Sequence, residues 1–294
     1  MNQIVLELDK VTKSYSKSNV LEQLCGQIKQ GQIVGLVGRN GAGKTTLLES
    51  VMGLKAIDHG KITIWNQSIA DLDEQQKQRI GFVPQDSIGF EWMKVADYLS
   101  YFGGFFKTWD QDYSNQLVSR WKIDKKQRIS ALSGGQQQIL QVIQALSIKP
   151  ELLILDEPVA HLDPNMRRQF LAELVDLTCE LGTTVVFSTH IISDLERVAS
   201  HIALLSDGQI DYFFELEDLK QHAAHLVLNK KPKDKSRYPQ LINWTESGHG
   251  AKCVLARPDD HVISKLEEEL DTPVKLNPMS LEDWYLEVTN ETNA

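Results

Sequence analysis

At 294 residues with 41% apolar side chains, the chain is long enough for one large α/β domain plus a small appendage, each with its own core. Its 31 Lys+Arg against 40 Asp+Glu give a net charge of −9 without a basic stripe, which argues against a nucleic-acid surface and leaves any phosphate ligand to a local site. Cys25, Cys179 and Cys253 are scattered and odd in number, which speaks against a disulfide framework or a metal cluster and fits a reducing compartment.

In chain order, the first 30 residues and "GKITIWN" (60–66) read as strands joined by tight turns, the pattern of an antiparallel subdomain. "QIVGLVG" (32–38) is a short apolar run rich in β-branched residues, and the same kind of run recurs at "LLILDE" (152–157), "TTVVFST" (183–189) and "HIALLSDG" (201–208). These predict buried strands of a parallel sheet. The stretch 91–147 is mostly helical in pattern, and over 165–181 Met166, Phe170, Leu171, Leu174, Leu177 and Leu181 form one apolar stripe. Strands alternating with helices predict a doubly wound α/β core. From about Leu219 the character changes. "NKKPKDKSRYP" (229–239) is polar and basic, a linker or exposed loop, and a solvated face explains it better than a binding patch. Then come "KCVLA", a helix over 260–270 with Val262, Ile263, Leu266 and Leu270 aligned, and a last helix opening at Ser280. There Ser280 and Asp283 have capping-box spacing, and Leu281, Trp284, Tyr285 and Val288 share one face. The expected organisation is one domain over 1–218 and a small accessory domain over 219–294, with no internal repeat. No apolar run reaches the roughly 18 residues of a membrane span, and residues 1–10 carry no signal-peptide pattern.

Several short motifs carry chemistry. "GRNGAGKTT" runs from Gly38 through Arg39, Asn40, Gly41, Ala42, Gly43, Lys44 and Thr45 to Thr46, after a buried strand and before a helix. In that context Gly41 and Gly43 let backbone N–H groups close around phosphate, Lys44 reaches the outer phosphates, and the Thr45 hydroxyl coordinates Mg²⁺. "LLILDEP" sets Asp156 and Glu157 at the carboxyl end of the sheet, where open α/β folds bind ligands. Asp156 suits the metal, and Glu157 could orient and deprotonate an attacking water. Gln85 in "FVPQD" could reach a metal or water, His190 beyond "TTVVFST" could hydrogen-bond a terminal phosphate, and Tyr15 offers a face for a purine. "LSGGQQQILQ" (132–141) has two readings: Ser133 and Gln136 have capping-box spacing, and a helix start is also an anion site.

Taken in order, Tyr15, "GRNGAGKTT", Gln85, "LSGGQ", "LLILDE", "HLDP" and His190 resemble the nucleotide-binding subunit of an ABC transporter, over residues 1 to about 218. The resemblance implies an α/β fold of the phosphate-loop NTPase class: a parallel-sheet core, an antiparallel β subdomain and a helical subdomain, followed here by a small α+β accessory domain. It implies ATP and Mg²⁺ as ligands. Tyr15 would stack on adenine, Gln85 would link Mg²⁺ and water to a membrane partner, Glu157 would be the catalytic base and His190 the γ-phosphate switch. A head-to-tail dimer is also implied, in which Ser133, Gly135 and Gln136 of one subunit meet the ATP of the other and Asp163 lies at the same interface. An integral membrane permease would dock in the groove between Gln85 and a helix from about Glu91, including Trp92, which places the protein at the cytoplasmic face of the membrane. "HIISDLERVASHIALLSDGQI" and "SLEDWYLEVT" look like the ATPases that pair with separate membrane subunits of the ABC-2 exporter type. Two features depart from the family: many members have basic residues after LSGGQ where this chain has Gln137, Gln138, Ile139 and Gln144, and His161 stands where a small residue is common. A soluble mechanical ATPase of the same class, acting on ribosomes or DNA, is the competing reading, and a nucleotide-sensing module a third.

Overall fold

Alternating burial organises the opening of the chain, where β1 (Ile4–Tyr15) pairs antiparallel with β2 (Ser18–Lys29). The computed structural model describes residues 3–15, 18–85, 89–257 and 259–291. β3 (Ile33–Val37), buried at every residue, leads into α1 (Lys44–Val51). β4 (His59–Ile64) and the short β5 (Gln67–Ser68) follow, then α2 (Glu74–Lys77) and β6 (Ile80–Val83). A helical layer comprises α3 (Val95–Gly103), α4 (Gln111–Arg120) and α5 (Gly134–Ser147). The chain then returns through β7 (Leu152–Leu155), α6 (Pro164–Leu181), β8 (Thr184–Ser188), α7 (Ile192–Val198), β9 (His201–Ser206) and β10 (Gln209–Glu215).

Two sheets form, in the orders β2-β1-β4-β5 and β10-β9-β3-β8-β7-β6. In the second, β3 runs parallel to β8 and β9, and β7 runs parallel to β6 and β8. Strands buried on both faces need apolar residues at every position, which is why these runs do not alternate. Their registers, Leu36 opposite Ser188 and Leu155 opposite Phe187, bring the ends of β3, β7 and β8 to one edge. Everything the sequence marks as phosphate chemistry from Gly38 to Thr46, at Asp156 and Glu157 and near His190 leaves the sheet at that edge.

Sequence and structure differ at several places. Glu91–Lys94 is a turn and the helix begins at Val95, because the Ile129 N–H donates to the Met93 carbonyl (2.9 Å) and the Ser130 N–H to that of Glu91 (3.0 Å). Leu181 is 47% exposed, so the apolar stripe of α6 ends at Leu177. β6 lies in a segment the periodicity had not marked as a strand. It is four residues long and flanked by Arg79 and Pro84.

The chain divides into two compact units, 1–211 and 212–294, with β10 running across the division, whereas the sequence places the boundary at 218/219. Tyr212 belongs to the second unit because its ring packs edge-on to Trp284 at 5.5 Å. In that unit α8 (Leu216–His222), β11 (Ala224–Leu228), β12 (Leu241–Ser247), β13 (Gly250–Leu255), α9 (Asp260–Leu270), β14 (Lys275–Pro278) and α10 (Leu281–Glu291) follow in order, and the sheet order is β12-β13-β11-β14. Leu226, Leu255, Val262 and Leu266 belong to its own core. The basic stretch 229–239 is a loop inside this unit, largely exposed but with Tyr238 buried in the unit's core, and anchored where Lys231 and Lys235 meet Glu246 at 2.6 and 2.7 Å.

Candidate functional site

The phosphate loop is shaped by close approach. Gly43 has φ 103°, and a Cβ there would lie 2.7 Å from the Val20 carbonyl oxygen, so only glycine permits both the backbone and the packing. It precedes α1 directly, so the first N–H groups of the helix face the pocket at its N-terminus. The Lys44 ammonium donates to the Gly38 carbonyl at 2.8 Å and to that of Arg39 at 3.3 Å, spanning the loop from inside. Burial lowers its pKa below the ordinary lysine value, while the Glu157 and Asp156 carboxylates oppose that shift. A pocket of about 280 Å³ opens here, lined by Val20, Asn40, Gly41, Gly43, Lys44, Thr45, Thr46, Gln85 and Glu157.

The acidic wall is organised by one hydroxyl. Ser188 donates from Oγ to Asp156 Oδ1 at 2.6 Å and accepts the Glu157 N–H at 2.8 Å. Glu157 sits at φ 48°, left-handed for a residue with a Cβ. The Glu157 carboxylate oxygen Oε2 lies 2.9 Å from Nδ1 of His190, whose ring is largely exposed. Asp156 is 1% exposed. The Thr45 hydroxyl donates to Gln85 Oε1 at 3.4 Å. Hydroxyl, amide and carboxylate oxygens at Thr45, Gln85 and Asp156 are the hard donors that Mg²⁺ prefers, so the donor set fits that ion.

Of the candidates read from the sequence, those from Asn40 to Thr46 other than Ala42, together with Gln85 and Glu157, line the pocket, while Gly38, Arg39 and Ala42 complete its loop. Tyr15 is 43% exposed, with Lys13 Nζ and Lys55 Nζ 5.3 and 5.8 Å from its ring centroid. Tyr15, Asp156, His190, Ser133, Gly135, Gln136 and Asp163 do not line the pocket; Asp156 and His190 reach it through Ser188 and Glu157. Ser133 caps α5: the Gln136 N–H donates to its Oγ at 3.3 Å, and its own N–H donates to Gln136 Oε1 at 3.0 Å. A Cβ on Gly135 would stand 2.6 Å from the His161 carbonyl oxygen, so the stretch after Ser133 is pressed against the segment leading to Asp163. Asp163 caps α6, accepting the N–H groups of Asn165 and Met166 at 2.8 and 3.0 Å. The sequence reading missed Val20, a strand residue without a motif, and Ser188, whose signal was its place two residues before His190.

A family model described as ABC transporter matches residues 21–160. An uncharacterized ABC transporter ATP-binding protein of Synechocystis is 32% identical, over 98% of this chain and 85% of that protein. Nod factor export ATP-binding protein I of Rhizobium meliloti is 28% identical over 97% of this chain and 88% of its own length. An Fe(3+) ions import ATP-binding protein of Fusobacterium nucleatum is 31% identical over 76% of this chain and 61% of its own length. Among solved structures, an ATP-binding subunit of an ABC transporter superposes with TM-score 0.67 at 25% identity, covering 74% of this chain and 92% of that one. A dimeric ATP-binding cassette in a post-hydrolysis state with ADP and Pi bound superposes with TM-score 0.65 at 25% identity, covering 72% and 98%. Since the likeness extends along nearly the whole chain and not over the phosphate loop alone, the protein belongs to the ATP-binding subunits of ABC transporters and is an ATPase of that family.

Proposed function

We propose that this chain hydrolyses MgATP at sites shared between two copies of itself and so powers transport, in the export direction, through a separate integral membrane permease at the cytoplasmic face of the membrane. The observation that carries the reading is the contact of Glu157 with His190 beside the pocket built by Lys44 and Thr45. Lys44 and the N–H groups at the start of α1 bind the outer phosphates. Glu157 takes the proton of the water that attacks the terminal phosphorus, the bond to the ADP oxygen breaks, and His190 holds the terminal phosphate. Tyr15 stacks on adenine. Thr45, Gln85 and Asp156 would hold Mg²⁺, which would supply charge neutralisation at the phosphates. Phosphoryl transfer depends on positioning and electrostatics more than on covalent chemistry, so a second set of donors facing the phosphates raises the rate.

Ser133, Gly135 and Gln136 supply that second set in trans: they form the start of a helix, which suits an anion, and they line no part of their own subunit's pocket. Asp163 stands at the same face, next to the backbone that Gly135 touches. ATP-binding subunits of this family act in dimers, typically with membrane permeases. Among the described residues no helix is long and apolar enough to cross a membrane. Export is supported by the export-named relative, which matches 97% of this chain including its second unit, against 76% for the import-named one. Mixing a Ser133→Arg subunit with a Lys44→Ala subunit leaves one intact shared site, so the mixture should exceed both parents in ATPase rate. A rate no higher than either parent, in a preparation where tag capture shows mixed dimers, overturns the shared site.

A further inference from the structure

The apolar stripe of α6 contains a carboxylate. Glu173 is 4% exposed, on the same helix as the buried Phe170, Leu174 and Leu177. Burying an ionised carboxylate is strongly unfavourable unless partners replace its water. Both partners come from α4: the Tyr113 hydroxyl donates to Oε1 and the Arg120 guanidinium to Oε2. Tyr113 and Arg120 are two turns apart, on one face of α4.

α4 is in turn fastened to the far end of α5. The Asp110 N–H donates to the Ser147 carbonyl at 2.7 Å, and the Asp110 carboxylate, which caps α4 through the Tyr113 N–H, pairs with Lys149 at 2.7 Å. α5 itself holds no charged residue from Gly134 to Ser147. Ile139 is fully buried and Gln144 accepts a hydrogen bond from the Tyr98 hydroxyl. α5 therefore cannot anchor by an ion pair of its own, and the charge that ties this helical layer to α6 sits on α4. The length of α5 makes the anchor matter. At 1.5 Å per residue its 14 residues span about 21 Å, so a tilt of about 5° about its Ser147 end moves Ser133 by roughly 2 Å, enough to break a hydrogen bond.

We propose that Glu173 is a positioning residue for ATP hydrolysis: gripped by Tyr113 and Arg120, it locks α4, and through α4 the tilt of α5, against α6, and so fixes where Ser133, Gly135 and Gln136 are presented to the ATP of a second copy. This rests on the shared-site reading above.

The mixed dimer tests it. The Lys44→Ala subunit offers only Ser133, and the Ser133→Arg subunit offers only Lys44, so turnover comes from one site. Glu173→Gln placed in the Lys44→Ala subunit should lower turnover by about tenfold; placed in the Ser133→Arg subunit it should change turnover by less than about twofold. Arg120→Gln should show the same asymmetry, and Arg120→Lys, which keeps a positive charge beside Glu173, should recover part of the rate. Equal losses in both placements, or no loss in either, overturn the proposal. A mixed dimer with Glu173 intact that fails to exceed its parents overturns the shared site instead, and is read separately.

Discussion

Glu157 holds a left-handed backbone, a hydrogen bond from its N–H to Ser188 and a carboxylate against His190, each of which serves its direction more than the stability of β7. A left-handed residue with a Cβ costs about 1 kcal/mol or more, and the Ser188 hydroxyl helps to offset it by satisfying both the Glu157 N–H and Asp156. Glu157→Gln should retain ATP while losing roughly 10²- to 10⁴-fold in turnover, measured as bound nucleotide and steady-state phosphate release. Retained turnover would remove Glu157 from the base role. Ser188→Ala leaves a buried N–H and a buried carboxylate oxygen without their partner, so melting should show a loss of about 1–3 kcal/mol, with turnover falling alongside. Stability unchanged from the parent would mean that the hydroxyl does not hold this turn.

α5 shows how one element serves two ends. Ser133 is an N-cap in the monomer and, in the proposed dimer, a phosphate donor, and the two roles separate on substitution. Ser133→Asp keeps an excellent cap and sets a negative charge toward phosphate, so melting should match the parent within about 0.5 kcal/mol while ATPase activity collapses. Activity close to the parent's would leave Ser133 a cap alone. In the second unit, Lys231 and Lys235 hold the Glu246 carboxyl down at about 2, from an ordinary 4.5. A depressed carboxyl contributes stability above its ordinary value, and that contribution is lost as pH falls through about 2. Glu246→Gln should therefore flatten the acid side of the melting-temperature profile in this window, by a small amount because the pair is exposed and salt-screened. A variant profile parallel to the parent's would mean that the pair contributes nothing.

At the scale of the molecule, the first unit carries all the lining residues of the pocket. A chain ended after residue 218 should thus keep ATP binding in equilibrium dialysis, and loss of binding would tie the second unit to the site. Trp92 is 69% exposed, and nearby in the chain Phe90, Tyr101 and Phe105, all more than a third exposed, belong to a cluster of aromatic rings in the region where the permease is proposed to dock. Trp92→Ala should leave the ATPase rate of the free subunit unchanged and weaken copurification with an integral membrane protein. Copurification as strong as the parent's moves the docking face elsewhere.

The phosphate loop, the two strand-end acids and the Ser133 cap were legible in the sequence because each depends on neighbours within a few residues, through backbone conformation, hydrogen-bond inventory or strand ends. The parallel core was legible for the same reason, since short runs such as "LLIL" bounded by turn residues suit a strand buried on both faces. What required tertiary structure was every relation between segments far apart in the chain. Ser188 joins Asp156 to the Glu157 backbone, His161 backs Gly135, Val20 closes the pocket, and Arg120 and Tyr113 reach Glu173. No periodicity marks such partners, because local sequence sets which groups are available and only packing sets which of them meet.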